Sequence, residues 1–389
     1  MSTHAPVIYL DYAASTPVDP RVVERMLGCL GPDGVFANPS STHAPGREAR
    51  ALVEQARQSA ARLFNAGAGD VYWTSGATES NNLAILGWAR GSAAPGAARH
   101  VVTTRIEHKA VLDPCKRLEK EGVAVTYVEP EPDGRVDPAR VVAAIRPDTL
   151  LVSVMHANNE TGVINDVGAI GASCRARGVP LHVDAAQTAG RLPIDVQRLN
   201  LDFMSVSAHK MYGPKGAGLL YVHPARRPGL LPLQFGGGQE RGLRSGTLPV
   251  HQIVGLGAAC EIAFAEAAGE AARLTALRER LWQGLQSIEG ALLNGHPTER
   301  LPGTLNVAFP GVEGESLLFA LPGLAISSGS ACSSDSDEPS YVLRALGRDV
   351  QTAQSSLRFS LGRFTSAAEV DAAVTAVARE VARLRAAAP

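Results

Sequence analysis

A lysine just past an apolar strand, in a turn rich in glycine and proline, suits an amine that must attack an aldehyde. Residues 205–216, SVSAHKMYGPKG, put Lys210 in that setting. Partial burial at a sheet end lowers a lysine's pKa and so favours the deprotonated, nucleophilic amine. Ser207 and His209 are polar neighbours able to reach a phosphate. Residues 181–187, LHVDAAQ, form an apolar strand that ends in Asp184. A pyridinium nitrogen needs such a carboxylate to keep its proton and act as an electron sink. Each feature alone also has an ordinary structural reading, Lys210 in an incidental loop and Asp184 as a helix cap. Their order, with Asp184 about one strand and helix before Lys210, favours the joint chemical reading.

Three further segments join this constellation. Residues 75–80, SGATES, lie between a strand and a helix, where free backbone N–H groups and the Thr78 hydroxyl can hold a phosphate. Glu79 and Ser80 equally suit the first turn of an ordinary helix. His108, in EHK at 107–109, follows a strand at the sheet edge where open α/β folds collect ligands. There it can cover a ring and move protons, or serve as a plain loop histidine. Cys332 sits in SSGSACSSDSDE at 327–338, a polar loop unlike the setting of a buried structural cysteine. An accessible thiol is what a sulfur relay requires. Cys29, Cys115, Cys174 and Cys260 lie in helical patterns and read as packing residues. Five widely spread cysteines, with no C-x-x-C pair and no zinc spacing, argue against a disulfide framework.

The elements that must position these groups are legible as alternating patterns. Apolar runs at 71–74, 100–104, 123–128, 150–155, 181–184, 203–207 and 218–222 read as strands separated by helices, the signature of a mainly parallel sheet. A helix follows the SGATES turn to about residue 91, and another spans about 108–122. After about Cys260 a long Ala/Glu/Arg/Leu helix runs to about 288, and a closing helix lies near 367–386. At 389 residues and 45% hydrophobic content, the chain predicts two packed lobes. A net charge of -1 gives no reason to expect nucleic acid or an anionic membrane as partner. The N-terminus has no signal-peptide pattern, and no apolar run approaches about 18 residues, so the chain reads as cytoplasmic and reduced.

Taken together, YLDYAAST from residue 9, NPSSTH at 38–43, TSGATESNNLAI at 74–85, EHKAVLD at 107–113, MHANNETGV at 155–163, HVDAAQ at 182–187, SAHKMYGPKG at 207–216, GGGQERGLRSGTLPVHQIVG at 236–255 and SSGSAC with EPSYVLRALG at 327–347 are collinear over nearly the whole chain. In this order they resemble the NifS/IscS-type cysteine desulfurases, in particular the housekeeping iron-sulfur-cluster branch. The resemblance implies an α/β fold of the pyridoxal-phosphate fold type I, aspartate aminotransferase-like. A large domain over 1–260 would carry a mainly parallel seven-stranded sheet, and a smaller α+β domain over 261–389 would carry the Cys332 loop, with the first residues of the chain packing on it. Lys210 would hold pyridoxal 5'-phosphate, Asp184 would pair with the ring nitrogen, Gln187 would bond the ring oxygen, and His108 would stack on the ring with Asn159 beside it. Ala77, Thr78, Ser207 and His209 would hold the phosphate, joined by Thr247 from the second subunit of a homodimer. Asn38 and Arg358 would hold the carboxylate of L-cysteine. The implied reaction yields alanine and a persulfide on Cys332, passed to an iron-sulfur scaffold protein or other acceptors; Cys332 would also be a shared iron-sulfur ligand with a scaffold.

Three departures modify these expectations. Ala208 stands where relatives usually have glycine, a change expected to leave Lys210 chemistry intact. Asp335 and Asp337 make the Cys332 loop more acidic, and like charge disfavours its thiolate. The sequence ends at Pro389, whereas housekeeping members continue with a tail that helps dock the scaffold, so weaker or differently arranged docking is expected. Two rival readings remain: an aminotransferase or selenocysteine lyase sharing the cofactor residues, and a sulfur carrier that has lost cofactor chemistry.

Overall fold

The apolar runs between residues 71 and 222 assemble into a single sheet. A computed structural model describes residues 7–92, 99–328 and 338–387. Its strands, in chain order, are β1 (Ile8–Tyr9), β2 (Val71–Thr74), β3 (His100–Thr104), β4 (Ala124–Val128), β5 (Thr149–Met155), β6 (Leu181–Asp184), β7 (Phe203–Ser207), β8 (Gly218–Val222), β9 (Leu292–Leu293), β10 (Thr304–Ala308), β11 (Leu324–Ala325), β12 (Ser327–Ser328) and β13 (Ser356–Ser360). Seven of them pair in the order β2-β8-β7-β6-β5-β3-β4. All neighbours are parallel except that β8 runs antiparallel to both β2 and β7.

Both faces of this sheet are covered, as a parallel sheet requires. Alternate residues of one strand enter different cores. Trp73, Val102, Val152, Leu219 and Tyr221 face one of them, while Tyr72, Val101, Leu151, Leu220 and Val222 face the other. This period of two fixes the register, because a slip by one residue would exchange the faces. The helices that cover the sheet include Lys109–Lys120 and Val167–Ala176. The helix after β2 runs as Ala77–Asn82, a π-helical stretch Leu83–Gly87, and Trp88–Gly91.

The remaining strands form a four-stranded sheet, β12-β13-β10-β9, and a two-stranded pair of β1 with β11. The four-stranded sheet is antiparallel and packs with Leu10, Leu281, Leu285, Val370 and Val377 in its own core. One helix, Val250–Leu285, serves both regions. Ile253, Leu256 and Ala259 lie in the core of the large sheet, and Leu274, Leu277 and Leu281 in the second. It begins well before the change of texture at Cys260, a start masked in the sequence pattern because its first turns contain Gly255 and Gly257. These lower helix propensity but allow close approach. A Cβ on Gly257 would lie 2.6 Å from the Cα of Ala56, on the facing helix Ala44–Phe64. Cys29, expected in a helical pattern, instead lies in the turn after Pro20–Leu27, still buried. Among the described residues no helix is long and apolar enough to cross a membrane.

Two glycines of the shared helix have opposite surroundings, and they predict opposite outcomes. Gly257→Val forces the two helices apart and lowers the unfolding free energy by about 1–3 kcal/mol. Exposed Gly269, with open space where its Cβ would be, gains about 0.4–1 kcal/mol on change to Ala. Urea unfolding of the two variants beside wild type checks both signs.

Candidate active site

The carboxyl ends of β2, β3, β5, β6 and β7 open onto a cavity of about 550 Å³. Open α/β sheets place ligands there, since the loops leaving the strands converge and helix N-termini point inward. Ala77, Thr78, His108, Asn159, Asp184, Gln187, Ser207, His209, Lys210 and Arg358 all line this cavity. Asn38 and Thr247 do not; both are exposed, and the Asn38 side chain accepts from the Ser40 N–H at 2.9 Å. Cys332 lies outside the described residues.

Lys210 closes a single 3-10 turn, Ala208–Lys210, directly after β7. The turn is held from outside. The Arg191 guanidinium donates to the Lys210 carbonyl at 3.0 Å, and the Thr16 N–H donates to that of His209 at 2.8 Å. Ala208 is buried, and a Cβ on Gly213 would meet its methyl at 2.9 Å, so the methyl fits because residue 213 has no side chain. Burial, followed by the cations Lys210, Lys215 and Arg191, pushes His209 down to about 4 and leaves it neutral.

Asp184 is buried at the end of β6, and each of its oxygens has a donor. Oδ2 accepts from Asn81 Nδ2 at 2.7 Å and Oδ1 from the Ala186 N–H at 2.9 Å. Asn81 is a site residue that the sequence reading missed. Gln187 is held through Nε2 to the Ala13 carbonyl at 2.9 Å and through Oε1 from Arg191 at 3.2 Å.

His108 caps the helix Lys109–Lys120, its Nδ1 accepting from the Ala110 N–H at 3.1 Å. With Nδ1 acting as acceptor, the neutral ring carries its proton on Nε2. Burial and then the Lys210 ammonium lower its pKa, so the neutral ring prevails at pH 7. At the other end, Gly76 adopts φ 152° and the following helix has no side-chain cap, which leaves its first N–H groups available to an anion. Glu79 accepts from the Ser75 N–H at 2.9 Å and pairs with Arg244 at 2.9 Å. Burial raises the Glu79 pKa, but these partners outweigh it and keep the carboxylate ionised.

Arg358 arrives from β13. Its guanidinium bonds Asp11 at 2.7 Å and the Asn159 carbonyl at 2.9 Å. Asn159 Oδ1 and Arg358 Nε are buried without partners, so the cavity wall keeps unused polar capacity. These orphaned atoms, the uncapped helix start and the Asp184 carboxylate fit a polar ligand with one anionic end.

Two buried acids were also missed. Glu107 Oε1 accepts from the Thr104 hydroxyl and the Met155 N–H, its Oε2 has no partner, and burial pushes it up to about 8. Burial pushes Glu160 up to about 7. The four described cysteines are buried, and desolvation raises every one of their thiols, Cys174 up to about 12. None of these four is poised as a nucleophile.

The family model of class-V aminotransferases matches residues 8–373. Among curated relatives, "Cysteine desulfurase IscS" of Shewanella baltica (strain OS223) is 55% identical over 379 residues, covering 97% of this chain and 93% of the relative. The protein of the same name from Shewanella oneidensis matches at the same identity and coverage. Among solved structures, a "NIFS-LIKE PROTEIN" superposes with a TM-score of 0.90 at 36% identity over 97% of this chain and all of that one. "SspA in complex with cysteine" gives 0.81 at 38% identity over 92% of this chain and 99% of its own.

Glu107 predicts a pH signature. The folded protein keeps its proton up to about pH 8, whereas the unfolded chain releases it near 4.5. Unfolding therefore frees a proton across that window, and the contribution of Glu107 to stability falls as pH rises. Glu107→Gln removes the effect. Its urea midpoint relative to wild type should rise between about pH 5 and pH 8; a difference that stays flat with pH would show Glu107 ionised in the fold.

Proposed function

This chain belongs to the class-V aminotransferase family, and from that premise we propose that it is a cysteine desulfurase which converts L-cysteine to alanine and carries the sulfur as a persulfide on Cys332. The observation that carries the reading is the meeting of Lys210, His108 and the Asn81-held Asp184 around one cavity. The cofactor is pyridoxal 5'-phosphate, whose aldehyde and protonated ring supply electrophilic and electron-withdrawing chemistry when bound.

The residues divide the work. Lys210 would hold the cofactor through its amine, Asp184 would pair with the ring nitrogen, and Gln187 and Asn159 would orient the ring. Ser207, His209, Thr78 and the N–H groups at Ala77 and Thr78 hold the phosphate. Arg358, with exposed Asn38, takes the substrate carboxylate. Lys210 and the Nε2 of neutral His108 move protons at the amino acid. The Cys332 thiolate attacks the substrate sulfur. The S–S bond forms as the C–S bond breaks, the C–S electron pair stays with carbon, and carbon takes a proton to become alanine. A second thiol then removes the outer sulfur by exchange.

The position of the described stems supports this assignment of Cys332. Ser327 pairs with Arg358 in the β12–β13 register. In the sequence Cys332 follows this strand by four residues. The reading extends to a cytoplasmic homodimer, with Thr247, which lies outside its own cavity, serving the cavity of a second copy. It further divides the chain into a large unit over 1–260 and a small one over 261–389, with iron-sulfur scaffold proteins and other thiols as acceptors.

The test is product release from L-cysteine with pyridoxal phosphate and a reductant. Wild type should yield alanine and sulfide in equal amounts. Cys332→Ser should remain yellow yet lose activity by about a thousandfold or more, and Lys210→Ala should lose both activity and the bound-cofactor spectrum. Full activity in Cys332→Ser would replace the persulfide route by a lyase.

A further inference from the structure

The residues that bring the chain back after the Cys332 segment are tied to two loops of the cavity. Ser340 caps the helix Tyr341–Ala345, its hydroxyl accepting from the Leu343 N–H at 3.1 Å and donating to Glu160 Oε2. The Tyr341 hydroxyl donates to the Glu107 carbonyl at 2.6 Å, the peptide that leads into His108. Asn158 joins the two loops. Its Nδ2 donates to the Ile106 carbonyl at 2.9 Å, and its Oδ1 accepts from the N–H groups of Glu160 and Thr161 at 2.9 Å. The next carbonyl, that of Asn159, accepts from Arg358 at 2.9 Å.

Ser340, Glu107, Asn158 and Glu160 are buried, and none of them lines the cavity, nor does Tyr341. Standing behind the cavity wall, they act on the reaction through the peptides they hold. In a buried site a hydroxyl that satisfies a carbonyl or carboxyl is costly to remove, because the acceptor is left unpaired. A stem fastened at two such points moves only if the loops carrying His108 and Asn159 move with it.

We propose that Ser340 and Tyr341 are positioning residues for sulfur transfer, fixing the return stem of the Cys332 segment, through Glu160 and the Glu107 carbonyl, against the peptides that hold Arg358 and His108. This rests on the reading that Cys332 carries the sulfur. The two ties place the reach of the thiol and the orientation of the bound amino acid under one set of hydrogen bonds. Their loss is felt at the step in which Cys332 must meet the substrate sulfur, and not at the earlier step in which the amino acid engages the cofactor.

The experiment uses full-length, cofactor-loaded protein mixed rapidly with L-cysteine. The first absorbance change of the cofactor reports substrate engagement, and alanine release in a single turnover reports sulfur transfer. Tyr341→Phe and Ser340→Ala should each slow alanine release by roughly tenfold. The first absorbance change and the KM should stay within about twofold of wild type. Ser340→Thr, which keeps the hydroxyl, should restore the rate. Unchanged alanine release in Tyr341→Phe and Ser340→Ala overturns the inference. So does a first absorbance change slowed as much as alanine release, since the residues would then merely support the ring site or the fold. Cys332→Ser run alongside separates the claims: full activity there overturns the desulfurase reading itself, whereas its loss with unaltered Tyr341→Phe and Ser340→Ala overturns only the positioning role.

Discussion

The Asp184 carboxylate, buried at the end of an apolar parallel strand, imposes the constraint on which the rest of the site depends. A charge there is tolerated only when donors meet it, and Asn81 and the Ala186 N–H do so. Asn81 comes from the helix after β2, so the interaction that satisfies Asp184 also fixes that helix against the sheet. The same helix presents its uncapped first turn to the cavity. One pairing thus sets the separation between the ring end and the phosphate end of the proposed cofactor site.

Burial holds several titratable groups in and behind the cavity wall towards their neutral forms. His108 and His209 are driven to their neutral forms, and Glu107 and Glu160 are pushed towards protonation. The fields of Lys210, Asp184 and Arg358 thus act across a partly desolvated wall, where they count for more than in water. Arg358 is already anchored by Asp11 and the Asn159 carbonyl, which presents its guanidinium without the entropy cost of ordering a free side chain.

Much of this was legible in the sequence for reasons that are local. The strands at 71–74, 100–104, 181–184, 203–207 and 218–222 are short apolar runs bounded by turn residues, and their edges coincide with β2, β3, β6, β7 and β8. Asp184 and Lys210 stood out because a charged residue at the end of an apolar strand, or just past one, is uncommon. The antiparallel setting of β8 was not legible, since an apolar run carries no direction. The start of the helix Val250–Leu285 was hidden by Gly255, which lies close against Met26 and Pro214, and Gly257, which lies close against Ala56. Asn81, Glu107 and Glu160 escaped because their burial is decided by partners distant in sequence, such as Ser340, 180 residues from Glu160. The Arg358 pairing with Asp11, 347 residues apart, is of the same kind.

All four described cysteines are buried with raised thiols, which is why the sulfur carrier we propose is Cys332 and none of them. The most direct measurement is mass spectrometry of peptides from wild-type protein quenched after one turnover with sulfur-labelled L-cysteine and alkylated without reductant. The account predicts one labelled sulfur atom added to the peptide bearing Cys332 and none on those bearing Cys29, Cys115, Cys174 or Cys260. Label on any of those four, or alanine formed with no label on the protein, would contradict it.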